Sequence, residues 1–185
     1  MNGGLDHIFM ERVFFPLYHV QTIKPEDVLD LTFFQQTSNY TDTNMQTDGA
    51  IPYPSNFMIE GIGAFILSGN HKNIQTTKDS ILELSIAAKL YFPIPLALVT
   101  IDHLNRKSIK ILKKNFGTLT QKTDKAHIEE IFKGMETPLT IEKEGIFIPS
   151  QCDFKVKINC RTKGTRKNDV TIGVVLIGTL ERPVL

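Results

Sequence analysis

The 185-residue chain has no tryptophan, only four tyrosines and only two cysteines. Carbohydrate-binding modules commonly stack sugars on such rings, so their scarcity weighs against a lectin. Cys152 and Cys160 stand eight residues apart. On one continuous strand that is roughly 26 Å, far beyond the roughly 7 Å between bridged Cα atoms. Both are therefore expected to be free apolar residues of a reducing compartment. An excess of one charge is also missing. Lys and Arg number 21 against 20 Asp and Glu, a net charge of +1, whereas dedicated nucleic-acid binders carry a basic excess. No stretch approaches the roughly 20 apolar residues of a membrane span. The start, MNGGLDHIFMERVFF, has neither the basic region nor the apolar run of a signal peptide. Synthesis in the cytosol, without membrane insertion, is expected.

Catalytic patterns are missing as well. None of His7, His19, His71, His103 and His127 pairs with another at ligand spacing, and a cupin-type metal enzyme needs a His-x-His pair on one strand. There is no Gly-x-Ser-x-Gly. Gly61 and Gly63 lack the third glycine and the helix start of a phosphate loop, so a strand bulge explains them better. Glu129 and Glu130 diverge by about 100° on a helix and read as a solvated face. The expectation is a non-enzyme with no cofactor, no metal and no small-molecule substrate.

What is present is strand pattern. A hydrophobic share of 41% and a charged share of 22% fit one globular domain over 1–185. In Phe154–Arg161, Phe154, Val156, Ile158 and Cys160 alternate with Lys155, Lys157, Asn159 and Arg161, the mark of a strand with one buried and one wet face. Val170–Leu180 is apolar on both faces, so protein is expected to cover both. Residues 8–21 read as an early strand that Pro16 confines to an edge, and 28–35 as a second. Residues 37–55 (TSNYTDTNMQTDGAIPYPS) read as a long polar surface loop that orders on contact with a neighbour. Its Asn39-Tyr40-Thr41 matches a glycosylation acceptor by chance. In Asn56–Ser68, Phe57 and Ile59 share one parity while Ile62, Ala64 and Ile66 share the other. A bulge at Gly61 would bring all five to one face. Residues 79–92 read as one strand ended by Pro93 and Pro95, and 96–101 as another. Helices are expected over 102–116 and 124–135. Leu139–Lys143 and two closing strands follow.

Seven to nine strands with a helical insertion near 102–135, and no βαβ rhythm, give a mainly β chain. The expected fold is an antiparallel β-sandwich or jelly roll with one or two short inserted helices.

Two basic groups stand out. Arg106, Lys107, Lys110, Lys113 and Lys114 cover an arc of about 120° on a helix. Lys155, Lys157 and Arg161 lie on one strand face. Together they could meet an anionic partner, a packaged genome or an internal membrane surface. The plainer reading of each is a solvated face. The tail Arg182-Pro183-Val184-Leu185 is apolar and extended, as an assembly contact would be.

The carrying residues FMIEGIGAFILS, ILELSIAAKLYFPIPL, FKVKINCR and VTIGVVLIGTLERPVL, with a helical insertion before the closing strands, resemble the single jelly-roll capsid proteins of tail-less icosahedral viruses, especially those of bacteria. That resemblance covers the whole chain and implies a self-assembling shell subunit, either the main capsomer or a vertex protein. Its partners would be copies of itself and other capsid proteins, and its place the virion, assembled in the host cytoplasm. The alternative is a β-sandwich module of phage attachment or tail that binds protein or glycan.

The alternation at Phe154–Arg161 yields a test. Val156→Asp places an unpaired charge in the interior and is expected to cost several kcal/mol, while Lys157→Asp costs little. Equal losses in thermal unfolding would refute the strand assignment.

Overall fold

A computed structural model of the chain describes residues 9–24, 30–35, 42–68, 79–100, 139–141, 145–159 and 169–184. Ten strands and one short helix are present there. They are β1 Met10–Phe14, β2 Leu17–Ile23, β3 Asp30–Phe33, β4 Asn56–Ser68, β5 Ile81–Ile86, β6 Lys89–Pro95, α1 Leu96–Val99, β7 Leu139–Thr140, β8 Ile146–Ile148, β9 Phe154–Asn159 and β10 Val170–Pro183. All strand pairs are antiparallel.

The strands form a six-stranded and a four-stranded sheet. In the first, β1 and β2 run end to end along one edge of β10, and Pro16 falls between them as an edge position allows. The other edge of β10 is bonded to β4, and β4 in turn to β7 and β8. The second sheet has the order β3-β9-β5-β6. Counting β1/β2 and β7/β8 as single broken strands leaves eight. In chain order they pair first with eighth, second with seventh, third with sixth and fourth with fifth. The chain is thus a long antiparallel ribbon folded at the β5–β6 hairpin. Rolling it up adds the contacts β10·β4 and β9·β5. This winding is a jelly roll.

The core lies between the sheets. Val170, Ile172, Val174 and Leu176 of β10 face Leu82, Leu84, Phe154, Val156 and Ile158 across it, all essentially inaccessible. The alternation read in Phe154–Asn159 is present as drawn, buried and half-buried in turn. On β4, Phe57, Ile59, Ile62 and Ala64 all join the core. The register slips between Ile177 and Gly178, so that Glu60 is the extra residue beside Gly61. The bulge expected from the parity switch is therefore there.

Four expectations change. Residues 79–92 are not one strand but part of a hairpin turning at Ala87-Ala88. Pro93 and Pro95 do not end it, because β6 is an edge strand and a missing donor there costs no ladder bond. Leu96–Val99 is helical rather than extended, with Leu96 N–H donating to Ser80 O at 2.8 Å and the Thr100 hydroxyl to Leu96 O at 2.6 Å. The segment from Gly145 holds three strands, because the chain leaves the six-stranded sheet after β8 and enters the other at β9. The helices expected over 102–116 and 124–135, and Cys160, lie outside the described residues.

Two glycines of β10 are required by close approach. A Cβ at Gly173 would fall on the ring of the fully buried Phe65, and one at Gly178 on the backbone carbonyl of Met58. Gly178→Ala is expected to destabilise by at least the about 1–3 kcal/mol of an overpacked core. Gly173→Ala should cost less when Phe65 is first cut to Leu. Denaturant unfolding of the two single variants, Phe65→Leu and Gly173→Ala/Phe65→Leu tests this; strict additivity at Gly173 and Phe65 would refute the steric account.

Candidate functional site

The candidate surfaces follow from where strands end. Ile23, Asp30, Ser68, Ile81, Pro95, Asn159 and Val170 lie at one pole of the sandwich, as the registers require. β9 and β10, the strands on either side of Arg161, end at that pole, whereas the chain on either side of Arg106–Lys114 meets the middle of β4, with Thr100 bridged to Ala64 and Leu139 opposite Ile62. Arg106, Lys107, Lys110, Lys113, Lys114, Arg161 and Leu185 themselves lie outside the described residues.

The opposite pole is closed by the chain between β3 and β4. This segment was expected to be a loop awaiting a neighbour; over 42–55 it is already packed. Met45 and Ile51 are core residues, and Thr43 and Gly49 are buried. Gly49 N–H donates to Phe34 O at 2.7 Å, and Phe154 N–H to Gly49 O at 2.7 Å. Gln151 N–H donates to Ile51 O at 2.8 Å and Ala87 N–H to Asp153 O at 2.6 Å. The Gln35 amide donates to Asp153 Oδ1 at 3.1 Å and to Phe154 O at 3.0 Å. Asn44 lies along the outer edge of β2. Its amide accepts from Tyr18 N–H at 2.9 Å and donates to Pro16 O at 2.6 Å. Composition suggested a solvated loop, but Met45 and Ile51, eight and four residues from its ends, carried the contrary signal.

His19 sits at the base of this closure. It is buried, edge-on to Phe33 and Phe34, with ring centroids at 5.7 and 5.8 Å. Its Nδ1 accepts from Phe34 N–H at 2.9 Å. The ring is therefore neutral with its proton on Nε2. Burial pushes its pKa down to about 4, against an opposing pull from Asp42. The same burial, helped by Asp42, pushes Tyr18 up to about 12. His19 is a core histidine whose Nδ1 is satisfied by backbone. Among the described residues no group of three or more His, Cys, Asp or Glu could hold a metal.

The outer faces of the two sheets differ. On the four-stranded sheet Lys155 and Lys157 point outward, as expected. Lys157 lies opposite Glu83 on β5 and Thr32 on β3, and Asn159 donates to Glu83 at 3.2 Å. Asp30 stands opposite Asn159. The described part of this face is thus mixed in charge, which favours the solvated reading of Lys155 and Lys157. On the six-stranded sheet the outward side chains include Tyr18, Val20, Phe65, Val175 and Ile177, all buried although outside the core between the sheets. The expectation that both faces of Val170–Leu180 are covered holds for Val174–Ile177.

The chain ends form a third feature. β10 continues through Glu181, Arg182 and Pro183, paired with Arg12, Glu11 and Met10. Arg12 Nε donates to Glu181 Oε1 and Arg182 Nε to Glu11 Oε1, each at 2.6 Å. Val184 N–H donates to Phe9 O at 2.8 Å. The tail is extended, as Pro183 suggested, but it is tied to its own N-terminal strand. Phe9, Met10 and Val184 at the tip are 79%, 44% and 56% exposed. The dipeptide Glu-Arg at 11–12 and again at 181–182 was the sequence signal for this ribbon.

No protein-family model, curated protein or solved structure matches the chain.

His19 yields a pH test. Unfolded, it takes up a proton near pH 6.5; folded, only near 4. Between those values the unfolded state binds more protons, so stability falls as pH drops and the loss levels off below 4, at about 3 kcal/mol. His19→Asn keeps an acceptor for Phe34 N–H and removes the titration. Urea unfolding across this window should show a shallower pH slope in the variant; identical slopes would refute the assignment.

Proposed function

We propose that the protein is a structural virion protein, a capsid subunit of main or vertex type that self-assembles into an icosahedral shell. The observation that carries this reading is the ribbon of paired chain ends. It presents Phe9, Met10 and Val184 to solvent at one end of a closed jelly-roll sandwich. Jelly rolls serve capsids, lectins and cupin enzymes alike, so the winding alone does not choose among them. The surface does more to choose. Large exposed side chains at chain ends suit burial against a neighbouring subunit. The exposed ion pairs Arg12–Glu181 and Arg182–Glu11 orient the ribbon while contributing little to stability. Partners in this reading are other copies and other capsid proteins. The basic segments with Arg106–Lys114 and Arg161 supply a contact to genome or to an internal membrane.

Negative-stain imaging and sedimentation of the concentrated protein should show closed symmetric particles or rings. Removal of residues 181–185 should leave a folded monomer that no longer assembles. A protein that stays monomeric at every concentration would instead fit an attachment or tail module. Loss of folding on truncation would place the tail with its own core.

A further inference from the structure

The chain that closes one pole at 42–55 is tied to β2 twice, and His19 stands at both ties. Along the edge of β2, His19 is bridged to Thr43 and Val20 N–H donates to Asp42 O at 2.6 Å. Through Phe34 the second tie is longer. His19 Nδ1 accepts from Phe34 N–H at 2.9 Å, Phe34 O accepts from Gly49 N–H at 2.7 Å, and Gly49 O accepts from Phe154 N–H at 2.7 Å. Phe34 holds this line with a φ of 71°. A non-glycine residue keeps that conformation only while its surroundings impose it.

Neither nitrogen of the ring meets an acceptor. A proton on Nδ1 would face the Phe34 N–H, donor against donor. Nε2 lies 3.4 Å from the Gln21 amide nitrogen, which already donates to Thr32 O at 2.8 Å. β3 and the residue after it bring Phe33 and Phe34 to the ring, and β10 sets Val174 opposite it, none of them titratable. Among the described residues the charge that acts on the ring is that of Asp42, on the closing segment itself. Tyr18, next to His19 on β2 and pushed up to about 12, stays neutral.

We propose that the closure over 42–55 is an acid-operated latch, released by protonation of His19 while the two sheets stay paired. Charging Nδ1 removes the bond to Phe34, frees that residue from its left-handed conformation and so takes its carbonyl from Gly49. The imidazolium finds water only when the chain packed on it moves away. β2 itself is paired with β10 from Leu17 to Ile23, whereas 42–55 is held by separate bonds, so the closure is the part that yields. Its release uncovers the Val20 N–H and the Tyr18 carbonyl. In acid the protein thus offers a strand edge that is occupied at neutral pH. The inference goes beyond the shell reading and stands without it.

Amide hydrogen exchange between neutral pH and about pH 4, expressed as protection factors and repeated in low urea, tests it. The amides of Val20, Phe34 and Gly49 should lose protection about ten-fold per pH unit below 6.5, roughly 300-fold in all. Their exchange should be insensitive to urea, as a local opening is. The amides of Val174–Ile177 should keep higher protection and the full urea dependence of global unfolding. In His19→Asn, whose amide oxygen can accept from Phe34 N–H, the pH dependence at Val20, Phe34 and Gly49 should vanish. Asp48 lies in the closure and Asp153 against it. A slope that persists in the variant belongs to such carboxylates and overturns the inference. So does wild-type protection at Val20, Phe34 and Gly49 that equals that of Val174–Ile177 at every pH and falls with it in urea, since His19 then reports global unfolding alone. That wild-type comparison decides the matter even where the variant fails to fold.

Discussion

Strand β10 is bonded to β1 and β2 on one edge and to β4 on the other, and its middle, Val174–Ile177, is buried on both faces. A strand in that position cannot alternate apolar with polar residues, because each face would bury the polar half unpaired. It needs small residues where neighbouring chain crosses it, which Gly173 under Phe65 and Gly178 against Met58 provide. It also decides where β1 lies. Since β1 runs antiparallel beside the end of β10, Met10 lies opposite Pro183, and Glu11-Arg12 meets Glu181-Arg182 at the same pole. The rolled ribbon, the covered outer face and the paired ends all follow from placing this segment at the centre of its sheet.

Much of this was legible because it rests on period. Alternation in Phe154–Asn159 and the parity switch in Asn56–Ser68 report which atoms face the core, and no tertiary detail can change that without loss of burial. The β-sandwich class was legible for the same reason. What was not legible depends on bonds between distant residues. Ala87-Ala88 carries none of the usual turn residues, and Ala87 has a φ of 50°. Its left-handed conformation is held by the bond from its N–H to Asp153 O, 66 residues away in sequence. Phe34, with a φ of 71°, is turned so that it and Phe33 both enter the core, and the His19 ring accepts its N–H. The packed loop 42–55 was missed because its polar residues bond backbone rather than water. The candidate surfaces were half legible: exposed Lys155 and Lys157 could be placed by parity, but Glu83 beside Lys157 could not, since that neighbour depends on register.

The two poles differ in kind. At the pole closed by 42–55, three non-glycine residues adopt positive φ: Phe34, Ala87 and Gln151. Each costs roughly 1 kcal/mol or more and persists only where its surroundings over-determine it. Here the surroundings are backbone bonds among four segments that are far apart in sequence. Such strain clusters at ligand sites in many proteins, but at this pole the polar groups that a ligand would need are bonded to one another. Asp153 accepts from Gln35, Asn56 accepts from Ser150 N–H, and Thr43 donates to Tyr18 O. Closure, rather than recognition, accounts for the strain.

That distinction bears on what the molecule offers to others. With the polar groups of the closed pole committed inward and the described face of Lys155 and Lys157 balanced by Glu83 and Asp30, the most distinctive accessible chemistry of the described surface is apolar. It includes Tyr53, Leu90 and Leu98, the cross-strand pair Met58–Phe147, and the tip at Phe9, Met10 and Val184, beside which Arg12 pairs with Glu181 and Arg182 with Glu11. Apolar groups framed by charges give a contact both energy and register: the apolar centre supplies the gain on burial, and the charges reject a misaligned copy. A surface arranged in this way is suited to meeting another folded protein of fixed shape, and a rigid rolled sandwich is suited to presenting it without deforming.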